Sequence, residues 1–159
     1  MTATIDDALA LVVRHFHGVK DKDGEPYVMH CLRVMMGVEG SLAQQVALMH
    51  DLVEDTEVTL DDLRQFGFAE EVVEGVGLVT HQSTDSYAEY VVRLKPNPLA
   101  RQTKLSDLRD NAALNRVLYR AERLPADLKR IQRYLLSYQF LTDRLDEANY
   151  RQRMKEFER

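Results

Sequence analysis

The apolar residues of this chain recur at helical spacing along almost its whole length, and strict apolar–polar alternation is nearly absent. The first segment shows the pattern, because its apolar residues form one stripe when the segment is drawn as a helix: Ile5, Ala8, Leu9, Val12, Val13 and Phe16. Thr4 precedes the stripe as a candidate N-cap, and two aspartates follow in the first turn, where the helix dipole favours negative charge. This spacing predicts an all-α fold.

Glycine, proline and capping residues divide the chain into about eight predicted helices. The first is expected to end at Gly18, and the others are predicted at residues 27–38, 41–53, 60–66, 69–79, 86–95, from 98 onwards and 125–159. Pro98 and Pro125 stand in the first turn of a helix, where proline is tolerated. The chain has 159 residues and no internal repeat, so we expect residues 1–159 to form a single helical domain.

Charge and cysteine content limit the class of protein. The chain holds 21 Lys and Arg against 26 Asp and Glu, a net charge of −5, which argues against general nucleic-acid binding because that needs a basic face. Cys31 is the single cysteine, so no intramolecular disulfide can form. No apolar run approaches the ~20 residues of a membrane span, and the acidic N-terminus is unlike a signal peptide. We therefore expect a cytoplasmic protein that binds neither nucleic acid nor membrane, with its protein partners left open.

Four groups that can bind a metal or move protons lie within two helical turns, at His50, Asp51, Glu54 and Asp55. They follow the apolar residues 46–49, and a polar cluster beside an apolar wall is unfavourable unless something pairs it. A divalent cation would pair it, and mixed imidazole and carboxylate ligation suits Mn²⁺, Fe²⁺ or Zn²⁺ better than Mg²⁺. The alternative is a chance His-Asp pair at a helix end, with Glu54 and Asp55 in solvent.

Two further segments carry groups of the same kinds. His30 lies just inside a predicted helix behind a Gly-Glu-Pro turn, and Asp107 and Asn111 lie one turn apart on a long predicted helix. The order H…HD…D, with Glu-Asp after the HD pair, is that of the HD-domain metal phosphohydrolases. The flanking sequences GEPYVMH, ALMHDLVEDT and KLSDLRDN resemble the hydrolase domain of the RelA/SpoT homologues, and most of all its stand-alone form, the small alarmone hydrolases. The resemblance covers residues 8–115 and implies an HD-domain helical bundle.

The resemblance implies four ligands for one metal ion per chain: His30, His50, Asp51 and Asp107. It implies Mn²⁺ as that ion, with Fe²⁺ or Zn²⁺ as alternatives. Glu54 and Asp55 match the acidic pair that handles water and the proton during hydrolysis. Chemistry agrees with this division, because a metal acidifies water and polarises a phosphoryl oxygen, and a carboxylate one turn beyond the ligands can accept a proton.

The resemblance also implies substrate contacts. Lys22 and Lys104 match basic residues that would contact phosphate, and Asn111 matches an asparagine that contacts the nucleotide. The alternatives are that the two lysines lie in solvent, as lysines usually do, and that Asn111 bonds to its own helix backbone. Two positions depart from the larger alarmone enzymes: Asp21 and Leu108 stand where those enzymes have arginines. The arginine at the first position helps to hold guanine, so we leave open whether the base is guanine or adenine.

The expected activity is Mn²⁺-dependent hydrolysis of the 3′-pyrophosphate of a guanosine or adenosine alarmone such as (p)ppGpp or (p)ppApp. One alternative is an HD-type phosphatase that releases orthophosphate from another nucleotide, and another is a non-catalytic nucleotide-binding module. In each case the partner is a phosphorylated nucleotide. Because the hydrolase resemblance fills most of the chain, we expect no synthetase domain within it.

Several other residues have no implied role. We expect Tyr27 to be a core or helix-entry residue rather than one that stacks on a base. Tyr87 and Tyr90 could line a substrate cleft, but we expect them to pack in the core. His81 lies in a polar loop over residues 80–85 that could gate a cleft. The charged residues 143–159 are expected to form a solvated helix face.

Overall fold

The computed structural model describes residues 2–116 and 121–157, and within them the chain is helical. In this part of the chain ten α-helices follow one another: α1 Ile5–His15, α2 Tyr27–Met36, α3 Ser41–Leu48, α4 Leu52–Asp55, α5 Leu60–Gln65, α6 Glu70–Val79, α7 Tyr87–Leu94, α8 Pro98–Asn111, α9 Leu124–Leu141 and α10 Glu147–Met154. Short 3₁₀ turns occupy Leu114–Arg116 and Ala121–Arg123. The described residues contain no β-strand, only an isolated bridge between Lys20 and Pro26. The all-α prediction is confirmed.

Three predicted helices differ from the structure by more than two residues or by a division. The first helix ends at His15, and Gly18 lies beyond it in a turn at a φ of 78°. The predicted helix over 41–53 is divided into α3 and α4, so residues 49–51 form a turn. The predicted helix over 125–159 is divided into α9 and α10, and its predicted end at 159 lies outside the described residues.

The last division has a local cause. Asp143 adopts a left-handed conformation with a φ of 60°, which ends α9. The Asp146 side chain then accepts a hydrogen bond from the Asn149 backbone N–H at 2.9 Å and caps α10. The two helices fold back on each other, because the rings of Phe140 and Tyr150 stack with their centroids 4.5 Å apart.

Side chains cap the starts of four of the described helices. Thr4 and Asp7 form a capping box at α1, as do Thr59 and Asp62 at α5, and Ser86 and Glu89 at α7. Asn97 caps α8 by accepting from the backbone N–H groups of Leu99 and Ala100, both at 3.0 Å. Local sequence therefore sets where these helices begin.

Helix α3 lies at the centre of the molecule and contacts α1, α2, α6 and α8. Its residues Ala43, Val46, Ala47 and Leu48 are buried. Helices α9 and α10 pack on α7, and α9 also contacts α8. The ends of α2, α3 and α8 are thereby brought together beside α7 and α9. None of the described helices is both long and apolar enough to cross a membrane.

The approach of α6 to α3 depends on Gly75. A Cβ at Gly75 would lie 2.8 Å from Val46 Cγ2, closer than packed carbons come. We expect Gly75→Ala to lower the free energy of unfolding by about 1–2 kcal/mol, because overpacking outweighs the gain in helix propensity. The matched control is Gly77→Ala, since a Cβ there would meet only the end of the flexible Leu60 side chain at 3.0 Å. Denaturant titration of both variants measures this, and equal stabilities would contradict the assigned role of Gly75.

Candidate metal centre

Two histidines and an aspartate that are far apart in sequence converge in the buried interior. His30 comes from α2, His50 from the turn between α3 and α4, and Asp107 from α8, and one ligand atom of each lies within 4.8 Å of the others. All three residues are at most 5 % exposed. Polar groups this deeply buried are unfavourable unless each of them is paired.

The turn at residues 49–51 is what allows His50 and Asp51 to face the same point. Successive residues of a regular α-helix point about 100° apart, so an unbroken helix would separate their side chains. The Nδ1–H of His50 donates to the Ala47 carbonyl at 2.8 Å, which satisfies a carbonyl freed by the end of α3. The carboxylate of Asp51 consequently lies 2.9 Å from His50 Nε2 and 3.7 Å from His30 Nε2.

The hydrogen bonds of the two imidazoles decide which nitrogens are free. His30 Nδ1 lies 2.7 Å from Asp110 Oδ2, and His50 Nδ1 lies 2.8 Å from the Ala47 carbonyl oxygen, so each Nδ1 carries the proton. The two Nε2 atoms then present lone pairs to each other at 3.1 Å. Facing lone pairs at that distance repel unless a cation or a proton lies between them.

The spacing of the donor atoms fits a divalent cation. Ligands held at about 2.0–2.3 Å from a common ion lie roughly 2.8–3.7 Å from one another. His30 Nε2 and His50 Nε2 are 3.1 Å apart, and they lie 3.4 Å and 3.7 Å from Asp107 Oδ1. The three donors therefore form a group that could hold a metal ion, and Asp51 stands beside both histidines as a fourth candidate ligand. The described residues support a metal site here without identifying the ion.

Charge around the centre is balanced by buried partners. The amine of Lys104 donates to Asp107 Oδ2 at 2.8 Å. Burial favours the neutral acid of Asp107, but the charge of Lys104 and the two histidines outweigh it and hold its pKa well below the usual range. Burial likewise lowers the pKa of His30, but hydrogen bonds to Asp107 and Asp110 outweigh it and raise the pKa of His30 to about 9. The metal-free site therefore retains a proton at neutral pH.

Glu54 and Asp55, the predicted catalytic pair, lie at the edge of this centre rather than within it. Glu54 Oε2 accepts a hydrogen bond from the His81 backbone N–H at 2.8 Å. Burial raises the pKa of both carboxyl groups above the usual range, and the neighbouring charge of Asp51 raises them further. Both residues line a cleft that opens from the centre, so each can meet a substrate from the solvent side.

The cleft has a volume of about 770 Å³, within the usual range for small-molecule sites. Its walls carry six cationic side chains: Lys20, Lys22, Lys104, Arg116, Arg130 and Arg133. Five carboxylates also line it, and three of them, Asp51, Glu54 and Asp55, come from one short segment next to the histidines. Acidic groups thus gather at the candidate metal centre, and positive charge surrounds it.

The predicted substrate residues differ in their surroundings. Lys104 is enclosed rather than solvated, since its amine lies 5.5 Å and 5.1 Å from the ring centroids of Tyr87 and Tyr90. The Asn111 amide donates to Asp107 Oδ1 and not to its own helix backbone. Lys22 lines the cleft on the loop before α2. All three predicted contacts are therefore brought to the same cleft, and their roles toward a substrate stay predictions.

The three tyrosines expected to pack in the core also reach the site. The Tyr27 hydroxyl donates to the carboxylate of Asp51. Tyr90 is buried and donates to the Val79 carbonyl at 2.5 Å. Tyr87 lines the cleft, and its buried hydroxyl has no hydrogen-bond partner among the described residues. Phe157, from the segment expected to be solvated, lines the cleft as well.

Asp21 and Leu108, the two residues that differ from the larger alarmone enzymes, both fit the fold around them. Asp21 Oδ1 accepts from the backbone N–H groups of Asp23 and Glu25, and its other oxygen pairs with Arg116 at 3.1 Å. Leu108 is buried at 1 % exposure. Asp21 therefore lines the cleft with a carboxylate that is already engaged by its own loop and by Arg116.

Sequence reasoning missed the residues that support the ligands. Asp110 accepts from His30 Nδ1 and also pairs with Arg33 at 2.5 Å and Arg116 at 2.8 Å. One signal was available, because Asp110 is three residues after Asp107 and so shares its helix face. Arg116 had no such signal, since its partners Asp21 and Asp23 are more than 90 positions away. The role of the His81 backbone N–H leaves no trace in sequence at all.

Comparison with known proteins agrees with this geometry. No protein-family model matches the chain. Over 104 residues it is 34% identical to the guanosine-3′,5′-bis(diphosphate) 3′-pyrophosphohydrolase of Aquifex aeolicus (strain VF5), which covers 58% of this chain and 15% of that protein. Over 130 residues it is 32% identical to a GTP pyrophosphokinase of Streptomyces coelicolor, which covers 73% of this chain and 15% of that protein. The chain thus matches only a small part of these relatives.

The fold also matches a solved structure, that of a metazoan ortholog of SpoT described as hydrolysing ppGpp and acting in starvation responses. The match has a TM-score of 0.66 at 21% identity and covers 96% of this chain and 92% of the other. The chain resembles the HD-type alarmone hydrolases in sequence and in fold. This confirms the predicted resemblance and the predicted helical-bundle architecture.

Asp110 should control metal affinity through His30. Asp110→Asn keeps a hydrogen-bond acceptor for His30 Nδ1–H but removes the charge that fixes the imidazole, so we expect metal affinity to fall about 10- to 100-fold. The matched control is Asp23→Asn, which removes a charge facing the same Arg116 without touching His30. Competition against a metal-binding dye measures both. A similar loss in the two variants would contradict a specific role for Asp110.

Metal affinity should rise with pH. A metal must displace the proton that the raised pKa of His30, about 9, retains in the metal-free centre. Below that pKa each lost pH unit makes displacement harder, so we expect affinity for Mn²⁺ to increase about tenfold per pH unit between pH 6.5 and 8, with release of about one proton. Calorimetry in buffers of different ionisation enthalpy counts the protons. Affinity that is constant across this range would show that the histidines are already neutral.

Proposed function

We propose that this chain is a metal-dependent pyrophosphohydrolase that removes pyrophosphate from the 3′ position of a guanosine or adenosine alarmone such as (p)ppGpp or (p)ppApp. The observation that carries the proposal is the pair of imidazole nitrogens that face each other at 3.1 Å beside Asp107, at the inner end of a cleft rich in lysine and arginine. Similarity in sequence to a ppGpp 3′-pyrophosphohydrolase supports the substrate class.

In this proposal, His30, His50, Asp51 and Asp107 hold one metal ion, and Mn²⁺ suits the mixture of imidazole and carboxylate donors, with Fe²⁺ or Zn²⁺ as alternatives. The bound metal supplies Lewis acidity, which polarises the phosphoryl group and lowers the pKa of water. Hydrogen bonds within the protein hold each of these ligand groups in its orientation. Asp110 holds His30, the Ala47 carbonyl holds His50, and Lys104 holds Asp107.

Glu54 is the proposed general base. Its carboxylate is anchored by the His81 N–H at 2.8 Å, which leaves Oε1 to orient the attacking water and to accept its proton. Partial burial raises the pKa of Glu54, so its carboxylate is a stronger base than one in solvent. Asp55 adds negative charge beside it and is the second candidate for moving a proton, toward the departing 3′ oxygen.

Cations on the cleft walls fit the charge of the substrate. Phosphoryl transfer spreads negative charge over the equatorial oxygens, and positive groups that are already in place stabilise it. Lys104 is suited to this role because Asp107 and the rings of Tyr87 and Tyr90 hold its amine in place. Lys22 and Asn111 are the other proposed contacts to the nucleotide.

The product identifies the reaction. Metal-loaded protein should release pyrophosphate from ppGpp or ppApp, whereas an HD-type phosphatase would release orthophosphate from a nucleotide, and a binding module would turn over none.

Glu54→Gln should keep the metal but lower kcat by about 100-fold or more, because the amide cannot accept the proton. The matched control is Glu57→Gln, three residues on, whose side chain is 84% exposed. Wild-type turnover by Glu54→Gln would remove Glu54 from the mechanism.

A further inference from the structure

The guanidinium of Arg116, in the 3₁₀ turn that follows α8, contacts three carboxylates through three different nitrogens. Its Nε pairs with Asp23 at 3.1 Å, its Nη2 with Asp21 at 3.1 Å and its Nη1 with Asp110 at 2.8 Å. Nη1 also donates to Asn111 Oδ1 at 3.3 Å. The side chain is only 12% exposed, and ion pairs away from solvent are screened little. One arginine therefore joins the loop before α2 to the end of α8.

The loop at residues 19–26 carries two of the cations that line the cleft, Lys20 and Lys22. Hydrogen bonds within the loop hold its shape. The Asp21 N–H donates to the Glu25 carbonyl at 2.8 Å, and Asp21 Oδ1 accepts from the Glu25 N–H at 3.0 Å. Because these bonds join residues of the loop to one another, they set its shape and not its position relative to α8.

At the end of α8, the partners of Arg116 support two of the candidate metal ligands. Asp110 Oδ2 accepts from His30 Nδ1 at 2.7 Å, and the Asn111 amide donates to Asp107 Oδ1. The same guanidinium thus touches the support of each ligand and, on its other side, two carboxylates of the lysine-bearing loop. The position of that loop relative to the candidate metal centre depends on this one side chain.

Loss of the guanidinium would leave its carboxylates facing one another. The Asp21 side chain is 3% exposed and that of Asp110 is 11% exposed, so water would shield their charges poorly. Removal of one partner from a buried ion pair is strongly unfavourable, because the charge that remains is uncompensated. Repulsion between the loop and the end of α8 would then move the loop, and its two lysines with it.

We propose that Arg116 is a positioning residue, which holds the loop at residues 19–26 against the end of α8 and so fixes Lys20 and Lys22 for the phosphate groups of a nucleotide. The inference rests on the proposed function in one respect, since a phosphorylated nucleotide is the ligand that the two lysines meet. Arg116 acts through these lysines and needs no contact of its own with the substrate.

Trypsin tests the hold on the loop without turnover, because it cleaves after lysines in segments that detach from the fold. In Arg116→Met, cleavage after Lys20 and Lys22 should be about 10-fold faster than in the unaltered protein, as followed by mass spectrometry. The matched control is Arg109→Met, which removes an exposed arginine of α8 that does not line the cleft. Both variants lose one tryptic site. Equal cleavage rates in the two variants would overturn the positioning role.

Kinetics with ppGpp at saturating metal tests the consequence for the substrate. Arg116→Met should raise KM about 10-fold and change kcat by less than about threefold, because the displaced lysines weaken binding and leave the metal ligands in place. Arg116→Lys should recover only part of the loss, since one amine cannot span the three carboxylates as the guanidinium does. Full recovery by lysine would show that the charge alone matters and would refute the positioning role.

Asp21→Asn separates positioning from simple electrostatics. Asp21 lines the cleft, so loss of its charge would by itself favour an anionic substrate and lower KM. We expect KM to rise instead, because the ion pair that ties the loop to Arg116 is broken. A lower KM would overturn the proposal.

A double-mutant cycle separates positioning from direct contact with the substrate. In a background with both Lys20→Met and Lys22→Met, Arg116→Met should add less than about threefold to KM, because the lysines that it positions are gone. Additive losses would mean that Arg116 binds the substrate itself, which contradicts the proposal.

The two arms also distinguish this inference from the proposed function. Hydrolysis of ppGpp with an unaltered KM in Arg116→Met would refute the positioning role and leave the function standing. Absence of all hydrolysis, with cleavage of the loop that still depends on Arg116, would refute the function and leave the hold of Arg116 on the loop standing.

Discussion

Two imidazole nitrogens that face each other at 3.1 Å, His30 Nε2 and His50 Nε2, constrain the rest of this structure. Each ring has its other nitrogen committed to an acceptor, so neither can turn its lone pair away. The arrangement is stable only with positive charge between the rings, supplied by a proton in the metal-free protein and by a divalent cation in the loaded one. A buried site of this kind could hold a metal ion with little rearrangement of its ligands.

The fold is arranged to hold that pair. Helix α3 is surrounded by α1, α2, α6 and α8, which fixes the position at which it ends. Its end is a turn and not a continuation into α4, so His50 and Asp51 both face α2 and α8. The absence of a side chain at Gly75 lets α6 pack closely against Val46 of α3. On α8, the carboxylates of Asp107 and Asp110 contact the two ring nitrogens of His30. Packing around α3 thus determines the ligand geometry.

Charge is divided within the cleft in a way that suits a polyphosphate. The net charge of −5 would repel such a substrate, but two of the acidic groups beside the histidines are paired with cations. Asp107 pairs with Lys104, and Asp110 pairs with Arg33 and Arg116. The outer walls carry lysine and arginine, and Arg133 on α9 retains a charge that no described carboxylate offsets. The part of the surface that a substrate meets is therefore more positive than the whole protein.

The sequence by itself determined what depends on neighbouring residues: the helical class, the capping boxes at Thr4, Thr59 and Ser86, and the candidate ligands His30, His50 and Asp107 within a recognisable order of motifs. Only the tertiary structure decided the division of the helix at 49–51, the pairing of His30 with Asp110 across 80 positions, and the place of α9 on the cleft wall. The reason is physical. Periodicity and capping are local properties of the backbone, whereas these contacts follow from how whole helices pack against α3.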